Sequence, residues 1–415
     1  MLQNDGLKTR FSAFGALVDW RKTGKLLREH SLSPFAKELA LGVCRRHLRL
    51  LHAIRKSVRR MPGLDVQCVL EMGIYQMFFM DVPNRAVIDS SAELARQANL
   101  GEGSVKLVNG ILRRLDRYGL PSLPPQNVLR LSLEYSMPEW LVRRLLDCCG
   151  PVYAEEFSKE TVERPSQWMR VNVQKISAEE LQKRLALSGR IYKNRFIEIP
   201  EGNPHLGELL ASKEFKEGFF SIQNPAALEV VNLLQIQDGM SVWDACAAPG
   251  GKSALLAEMY PHAEILASDI SAERLLPMQD LHSRLSLSNI SVQTLDVTAH
   301  SFFERFDRIL LDVPCSNLGV LSRRPEVKYR LSLKDVLDLS KIQFHILETA
   351  VSALKKNGIL VYATCSPEPV ETDKVVKKFL EAHPDFEQVG LPVRISKNEF
   401  GLDRFFAAAL QKNND

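Results

Sequence analysis

Apolar residues in the first 120 positions recur at helical spacing, which predicts a wholly helical region. Between residues 41 and 58 they fall three or four positions apart, and basic residues occupy the opposite face of the same helix. Residues 66–80 are apolar almost all round, as expected of a buried central helix. Further helices are predicted over roughly 86–98 and 104–118. The apolar stripe consists of Leu41, Cys44, Leu48, Leu51, Ile54 and Val58, and the basic face consists of Arg45, Arg49, His52, Lys56 and Arg59.

The pattern changes after a proline-rich break at residues 121–125. A helix is predicted to begin at Pro138, strands to span 167–173 and 190–199, and a helix to lie between them at 178–188. This succession indicates a small α+β module.

Two residues of the first strand in that module are candidates for contact with nucleic acid. Trp168 could stack on a base and Arg170 could contact a phosphate. A tryptophan in an apolar strand more commonly belongs to the core, so we predict a buried Trp168.

From residue 221 onward, short apolar strands alternate with helical segments, which is typical of an open α/β sheet. Ligands of such a sheet bind outside the carboxyl ends of the strands, so we expect the residues that end the strands to converge. The predicted strands are 240–243, 264–269, 291–296, 306–312 and 358–366.

Charge is unevenly distributed along the chain. Residues 1–120 contain 20 lysines and arginines against 11 aspartates and glutamates, a net charge of +9, whereas the remainder has 34 against 39, or −5. A basic segment at one end of a nearly neutral chain favours a polyanionic partner.

The composition excludes several classes of protein. A length of 415 residues predicts two or three domains, and the seven cysteines form neither a CxxC pair nor a cluster at metal-ligand spacing. We therefore expect reduced thiols and no metal. No secretory signal and no membrane-spanning apolar run are visible, so we predict a cytoplasmic protein without membrane contact, and a monomer.

A glycine-containing turn at residues 244–252 joins the strand at 240–243 to a helix, and two nucleotide-site interpretations compete for it. A phosphate-binding P-loop requires a first glycine where this chain has Cys246. The alternative is a cradle for S-adenosylmethionine, in which the helix amino terminus faces the cofactor. Asp269 ends the next strand about 20 residues later, where such folds bind a ribose.

The ends of two later strands discriminate between these interpretations. Asp312 could be the acid of a nucleotide triphosphatase, which keeps that alternative open. Cys315 and Cys365, which follow the strands at 306–312 and 358–366, have no role in that chemistry.

Three segments resemble, in order and spacing, the motifs of the Nol1/Nop2/Sun family of RNA cytosine-5 methyltransferases; they are Asp244–Lys252, Asp312–Ser316 and Thr364–Ser366. The resemblance implies S-adenosylmethionine as cofactor and a thiolate that adds to C6 of cytosine, which makes C5 nucleophilic. It also implies that Cys365 is the nucleophile and that Cys315 assists release of the product. DNA cytosine methyltransferases use the Pro-Cys position instead, so Cys315 stays the alternative nucleophile.

The same resemblance implies a set of cofactor contacts, with Asp312 also near the base and Arg274 as a weaker candidate. The implied contacts are Cys246, Ala247, Ala248, Pro249, Gly250, Gly251, Lys252, Asp269, Asp296 and Asp312. The chain departs from the family pattern at Asn317, where glycine is usual, and at Thr372, where asparagine is common.

A second resemblance narrows the family to a bacterial branch that acts on 16S ribosomal RNA. Glu71–Gln76 and Val108–Arg114 are similar to the NusB-type helical domain at the front of that branch. The implied organisation is an all-α NusB-like domain at 1–125, a small α+β RNA-recognition-like module at 126–220, and a Rossmann-like methyltransferase domain at 221–415. A non-catalytic RNA-binding protein on the same fold is the competing hypothesis.

Overall fold

The computed structural model describes residues 2–200, 206–299, 301–396 and 400–413, and its contacts divide the chain into two units. One unit comprises the chain up to Arg164 together with Leu321–Ser332. The other comprises Pro165–Val320 and the chain from Leu333 onward.

The first unit is helical throughout its regular elements, which confirms the all-α prediction for residues up to 125; α6 and α7, from the predicted α+β module, also belong to this unit. Its helices are α1 (Leu2–Thr23), α2 (Pro34–Ser57), α3 (Leu64–Phe79), α4 (Asn84–Gln97), α5 (Glu102–Tyr118), α6 (Asn127–Glu134) and α7 (Glu139–Glu160). Helix α2 begins where Ser33 accepts a hydrogen bond from the Ala36 amide and Pro34 occupies the first turn. Helix α3 is buried over most of its length, as its apolar pattern predicts.

The segment Leu321–Ser332 packs into this helical unit although the flanking chain belongs to the other one. The hydroxyl of Tyr329 donates hydrogen bonds to the carbonyls of Cys44 and Ser136, each over 3.0 Å. Its ring lies against those of Trp20 and His47. The segment thereby covers part of α2.

Of the five basic residues predicted opposite the apolar stripe, Arg45 is buried and Arg49 and His52 are half-buried. Arg45 is only 4% exposed and donates to the carbonyl of Ser322 over 2.9 Å. Arg49 donates to the carbonyl of Pro121, and the ring of His52 lies 3.3 Å from the Ser122 carbonyl. The reason is tertiary, because chain segments distant in sequence cover this side of the helix.

The second unit contains a small antiparallel sheet with strand order β2-β3-β1-β4. Its elements are β1 (Gln167–Val171), α8 (Ala178–Arg184), β2 (Ile191–Tyr192), β3 (Phe196–Ile199), α9 (Leu206–Ala211), α10 (Lys213–Lys216) and β4 (Phe220–Ile222). The single strand predicted at 190–199 is wrong, because the chain reverses there to form an antiparallel pair. Lys193 and Asn194 take positive φ angles of 46° and 50°, which a continuous strand does not contain.

Both residues singled out in β1 are buried. Trp168 is 1% exposed and packs in the core, as predicted. Arg170 is also 1% exposed and forms an ion pair with Glu258, Nη2 to Oε1 over 2.8 Å, so the expectation of a phosphate contact is wrong. It also donates to the carbonyl of Gly251 over 2.8 Å, at the start of the helix that follows the glycine turn.

The rest of the second unit is built on a seven-stranded sheet of order β10-β11-β9-β8-β5-β6-β7. Strands β5 to β9 pair in parallel, and β11 pairs antiparallel with both β9 and β10. The elements are α11 (Ala226–Asn232), β5 (Ser241–Asp244), α12 (Gly251–Met259), β6 (Glu264–Asp269), α13 (Ala272–Leu285), β7 (Ile290–Thr294), β8 (Phe306–Asp312), α14 (Leu333–Ala350), β9 (Leu354–Thr364), α15 (Asp373–Ala382), β10 (Phe386–Ile395) and β11 (Phe405–Lys412).

Successive strand residues of this sheet enter two different cores. Val242 packs in a cluster with residues of α11 and α12, whereas its neighbour Trp243 packs in a cluster with residues of α14 and α15. Because side chains alternate across a strand, this division shows helices on both faces of the sheet. The predicted Rossmann-like fold is confirmed.

Two further features of the described ranges bear on the class of protein. None of the helices there has the length and apolar character that crossing a bilayer requires. Nor does that part of the chain contain a group of three or more His, Cys, Asp or Glu side chains arranged to hold a metal ion.

Candidate active site

Two cysteines meet beyond the carboxyl ends of adjacent parallel strands. Cys315 follows β8, Cys365 follows β9, and the two strands are in register from Arg308 to Asp312. The Sγ atoms lie 3.0 Å apart, and both residues are half-buried. The topology thus brings together two thiols that are 50 residues apart in the chain.

Asn317 contacts both halves of this pair. Its Nδ2 donates to the carbonyl of Cys315 over 2.8 Å, and its Oδ1 lies 3.5 Å from Sγ of Cys365. Its φ of +58° falls in the left-handed region, where glycine is favoured and asparagine is the best tolerated alternative. This conformation accounts for an asparagine where the family usually has glycine.

The two thiols act on each other's protonation. A hydrogen bond from Cys365 lowers the pKa of Cys315 below its ordinary value, against the opposing effect of burial. Donation of that same hydrogen bond, together with burial, raises the pKa of Cys365 well above its ordinary value. The pair therefore releases a first proton readily and holds the second firmly, with the shared proton between two sulfurs 3.0 Å apart.

An ion pair lies beside the cysteines. Nζ of Lys252, in the first turn of α12, lies 2.5 Å from Oδ2 of Asp312 at the end of β8. Burial acts to lower the pKa of Lys252, but the carboxylate of Asp312 outweighs it and raises the pKa above its ordinary value. Lys252 acts to lower the pKa of Cys365, whereas Asp312 acts to raise it. Asp312 has the larger of these two effects, so the ion pair as a whole does not lower the pKa of Cys365.

The glycine turn is shaped by its backbone. Gly250 has a φ of +94°, a conformation that residues with a side chain rarely adopt, and a Cβ there would lie 2.6 Å from Met278. The amide of Gly250 donates to the carbonyl of Ala247 over 2.7 Å, and the Ala248–Pro249 peptide is cis. Helix α12 then begins at Gly251, so its first amides point toward the turn.

Asp269, at the end of β6, holds this turn from the side. Its carboxylate accepts a hydrogen bond from the Ala248 amide over 3.3 Å. Arg274 donates to Asp269 and to the carbonyl of Ala248, each over 3.2 Å, so this arginine bridges the two although its side chain is 58% exposed. Cys246 lies in the same turn, and burial raises the pKa of its thiol, which makes it unreactive.

Asp296 stands apart from these residues. It follows β7 at the edge of the sheet and accepts hydrogen bonds from the amide and hydroxyl of Thr298, over 2.8 and 2.7 Å. It lies beyond the carboxyl end of β7, which neighbours β6 and is separated by β6 from β5. Among the described residues, no hydrogen bond or ion pair joins Asp296 to the glycine turn.

Asp244 is a candidate that the sequence interpretation did not include. It is fully buried at the end of β5, its Oδ2 accepts a hydrogen bond from Ser253 over 2.5 Å, and burial raises its pKa to about 7. Its Oδ1 has no hydrogen-bond partner among the described residues. Its place directly before the glycine turn was the signal that could have identified it.

These features fit the cofactor that the resemblance implies. S-adenosylmethionine has an ammonium group, a carboxylate and a ribose to accommodate, and the orphaned oxygen of Asp244, the free amides of α12 and the strand-end carboxylate of Asp269 match that set. The fold and the site define an S-adenosylmethionine-dependent methyltransferase.

Comparisons with known proteins agree with this class. Residues 231–410 match the family described as 16S rRNA methyltransferase RsmB/F, residues 8–117 match the NusB family, and residues 137–195 match the ferredoxin-like domain of RsmF/B-like methyltransferases. The chain is 32% identical over 407 residues to the probable ribosomal RNA small subunit methyltransferase B of Bacillus subtilis, covering 90% of this chain and 89% of that protein. It is 33% identical over 410 residues to ribosomal RNA small subunit methyltransferase B of Shewanella oneidensis, with 93% of each covered.

A solved structure shares much of this fold. The methyltransferase homolog protein from Pyrococcus horikoshii is 26% identical, covers 70% of this chain and 100% of its own, and superposes with a TM-score of 0.59. The chain belongs to the ribosomal RNA small subunit methyltransferase B family, whose members are S-adenosylmethionine-dependent enzymes.

Proposed function

We propose that this enzyme methylates C5 of a cytosine in 16S ribosomal RNA through a covalent bond between Cys365 and C6 of the base. The observation that carries the proposal is the pair of thiols 3.0 Å apart, with Asn317 and the Lys252–Asp312 ion pair around it. Methylation of a ring nitrogen or of a ribose hydroxyl has no use for a second thiol.

The geometry supports a division of labour between the thiols. C5 of cytosine is a poor nucleophile. As the Cys365 sulfur adds at C6, its thiol proton passes to the Cys315 thiolate 3.0 Å away, and an electron pair moves to C5. S-adenosylmethionine supplies a methyl group on a sulfonium, which C5 then takes. Loss of the C5 proton restores the double bond and expels Cys365. Cys315, in contact with the departing sulfur, assists that last step.

We assign the cofactor to the glycine turn and the strand ends around it. The amides of Gly251 and Lys252 would bind its amino-acid end, and Asp269 would bind its ribose hydroxyls. Cys246, Ala247, Ala248, Pro249 and Gly250 supply the close backbone surface. Asp312 faces both this site and the base, and we place Asp296 near the adenosine.

The relatives are named as ribosomal RNA small subunit methyltransferases. These names are the basis for proposing small-subunit ribosomal RNA as the partner of this chain. We propose that the helical unit binds this RNA through the basic residues that remain exposed, as a monomer. All seven cysteines are free, and the reaction needs its two thiols reduced, which a cytoplasmic location maintains.

The test is transfer of labelled methyl from S-adenosylmethionine to 16S ribosomal RNA that lacks the modification, followed by nucleoside analysis. We expect labelled 5-methylcytidine from the wild-type enzyme and none from Cys365→Ala, with cofactor affinity unchanged in the variant. Label in any other nucleoside, or an active Cys365→Ala variant, would contradict the proposal.

A further inference from the structure

A buried carboxylate lies beneath the cysteine pair and has no part in the proposed reaction. Glu371 is 0% exposed and belongs to the short turn Pro369–Glu371, which follows β9. It forms no ion pair with a residue in the described ranges. Burying a carboxylate without a cation is costly unless hydrogen bonds replace its water.

Four hydrogen-bond donors converge on this carboxylate. The amide and the hydroxyl of Ser316 donate to it over 2.9 and 2.5 Å, the hydroxyl of Ser366 over 2.5 Å, and Nε2 of Gln343 over 2.9 Å. An ionised carboxyl group offers only acceptors, so it suits four donors in a way that an amide cannot.

Two of those donors are the residues that directly follow the two cysteines. Ser316 follows Cys315 and Ser366 follows Cys365, so one side chain fixes both cysteine-bearing turns to the same point. Gln343 extends the restraint to the other side of Cys315, because its Nε2 also donates to the carbonyl of Pro314 over 3.0 Å.

The carboxylate is itself held in place from β9 and α14. The hydroxyl of Tyr362 donates to the backbone carbonyl of Glu371 over 2.7 Å and lies 3.2 Å from Oε1 of Gln343. Gln343 and Tyr362 are both 0% exposed. Glu371, Gln343, Tyr362, Ser316 and Ser366 thus form one buried network, which we call the Glu371 network.

We propose that Glu371 is a positioning residue that sets the distance between the two thiols and thereby the rate of the methyl-transfer cycle. This role rests on the proposed function, since it acts through Cys315 and Cys365. When reacting groups are held imprecisely, the reaction is slower even though every group is present.

The charge of Glu371 gives the role a specific signature. After the hydrogen bond from Cys365 and after burial, the negative charge of Glu371 is the next influence on the pKa of Cys315, and it raises that pKa. The other charged or titratable groups that face the pair are Asp312 on β8, Lys252 on α12 and the hydroxyl of Tyr362 on β9. Removal of the Glu371 charge should therefore move thiol reactivity to lower pH.

The decisive variant is Glu371→Gln, which keeps the shape and replaces two acceptors by one acceptor and one donor. We expect kcat for methyl transfer to fall by about tenfold to a hundredfold, as small misplacements of reacting groups do. The cofactor dissociation constant should stay the same, because none of the network's contacts given above reaches the glycine turn. Glu381→Gln, which removes an exposed carboxylate of α15, is the matched control and should leave kcat unchanged.

A second measurement needs no RNA. Alkylation of Cys315 and Cys365 by iodoacetamide, followed by mass spectrometry over a pH series, reports the thiols directly. We expect the profile of Glu371→Gln to lie at lower pH than that of the wild type and of Glu381→Gln. If the alkylation profile of Glu371→Gln matched that of the wild type, the positioning role would be overturned. This holds even if methyl transfer were reduced, because reduced transfer alone would indicate general damage to the protein.

The two measurements separate this inference from the proposed function. A wild-type enzyme that makes no 5-methylcytidine, combined with a shifted alkylation profile, would remove the proposed function and leave the positioning role intact. Should Glu371→Gln fail to fold, Ser366→Ala removes one hydrogen bond and keeps the charge. In that variant we expect kcat to fall several-fold and the ratio of Cys365 to Cys315 alkylation to change, because the Cys365 turn loses its hydrogen bond to Glu371. An unchanged kcat or an unchanged ratio contradicts the role.

Discussion

Lys252 is a partly buried cation and Arg45 is a buried one, and their surroundings differ. Lys252 faces the carboxylate of Asp312 and lies close enough to Cys365 to act on its pKa. Arg45 donates to the backbone carbonyl of Ser322, and its Nη1 lies 3.6 Å from a carboxylate oxygen of Glu38. A buried charge beside reactive groups adjusts their chemistry, whereas one beside backbone carbonyls fixes a chain segment.

The largest effect on activity is expected from a substitution in the cysteine pair beside Lys252. Cys315→Ala should leave addition at C6 possible and slow the departure of Cys365, so that turnover falls at least about a hundredfold and a covalent enzyme–RNA adduct accumulates. Denaturing gel electrophoresis after incubation with cofactor and 16S ribosomal RNA should show a slow-migrating species. Its absence, with turnover lost, would remove the release role from Cys315 and reopen the choice of nucleophile.

The glycine turn should respond next. Gly250→Ala forces a side chain into a left-handed conformation and against Met278, at a cost of about 1–3 kcal/mol. We expect cofactor affinity, measured by calorimetry, to fall by about tenfold or more. Gly103→Ala is the matched control, because a Cβ there meets nothing within 4 Å. Equal affinities in the two variants would show that the turn does not bind the cofactor.

The smallest effects should separate the buried and exposed basic residues of α2. Arg45→Ala should lower the free energy of unfolding by about 1–3 kcal/mol, because it removes a hydrogen bond from a buried group. Lys56→Ala changes an exposed residue and should leave stability unchanged while reducing the slope of log affinity for RNA against log salt concentration by about 1.

Arg45→Ala and Lys56→Ala each serve as the control for the other. Chemical denaturation and RNA-binding titrations at several salt concentrations measure both quantities in both variants. An Arg45→Ala protein with normal stability and a reduced salt slope would show that Arg45 contacts RNA after all.

The predictions made from the sequence agree with the structure where a single strand and the residues that end it contain the information. Asp312 and Cys315 follow one apolar run, Cys365 follows another, and parallel strands place such ends on a single edge of the sheet. The interpretation of residues 190–199 failed because the alternation of a hairpin with a short turn resembles that of one strand. Asparagine tolerates positive φ, so Asn194 is compatible with a turn, but Lys193 gives no such signal for the chain reversal.

The sequence by itself determined the fold class, the glycine turn and the two strand-end cysteines, because periodicity and local motif are properties of contiguous residues. Only the tertiary structure decided that Arg45 and Arg170 are buried, since the segments that cover them lie far away in the chain. Only the tertiary structure shows that Glu371 is hydrogen-bonded to both cysteine-bearing turns. Burial and convergence depend on which distant segments meet, and no local pattern records that.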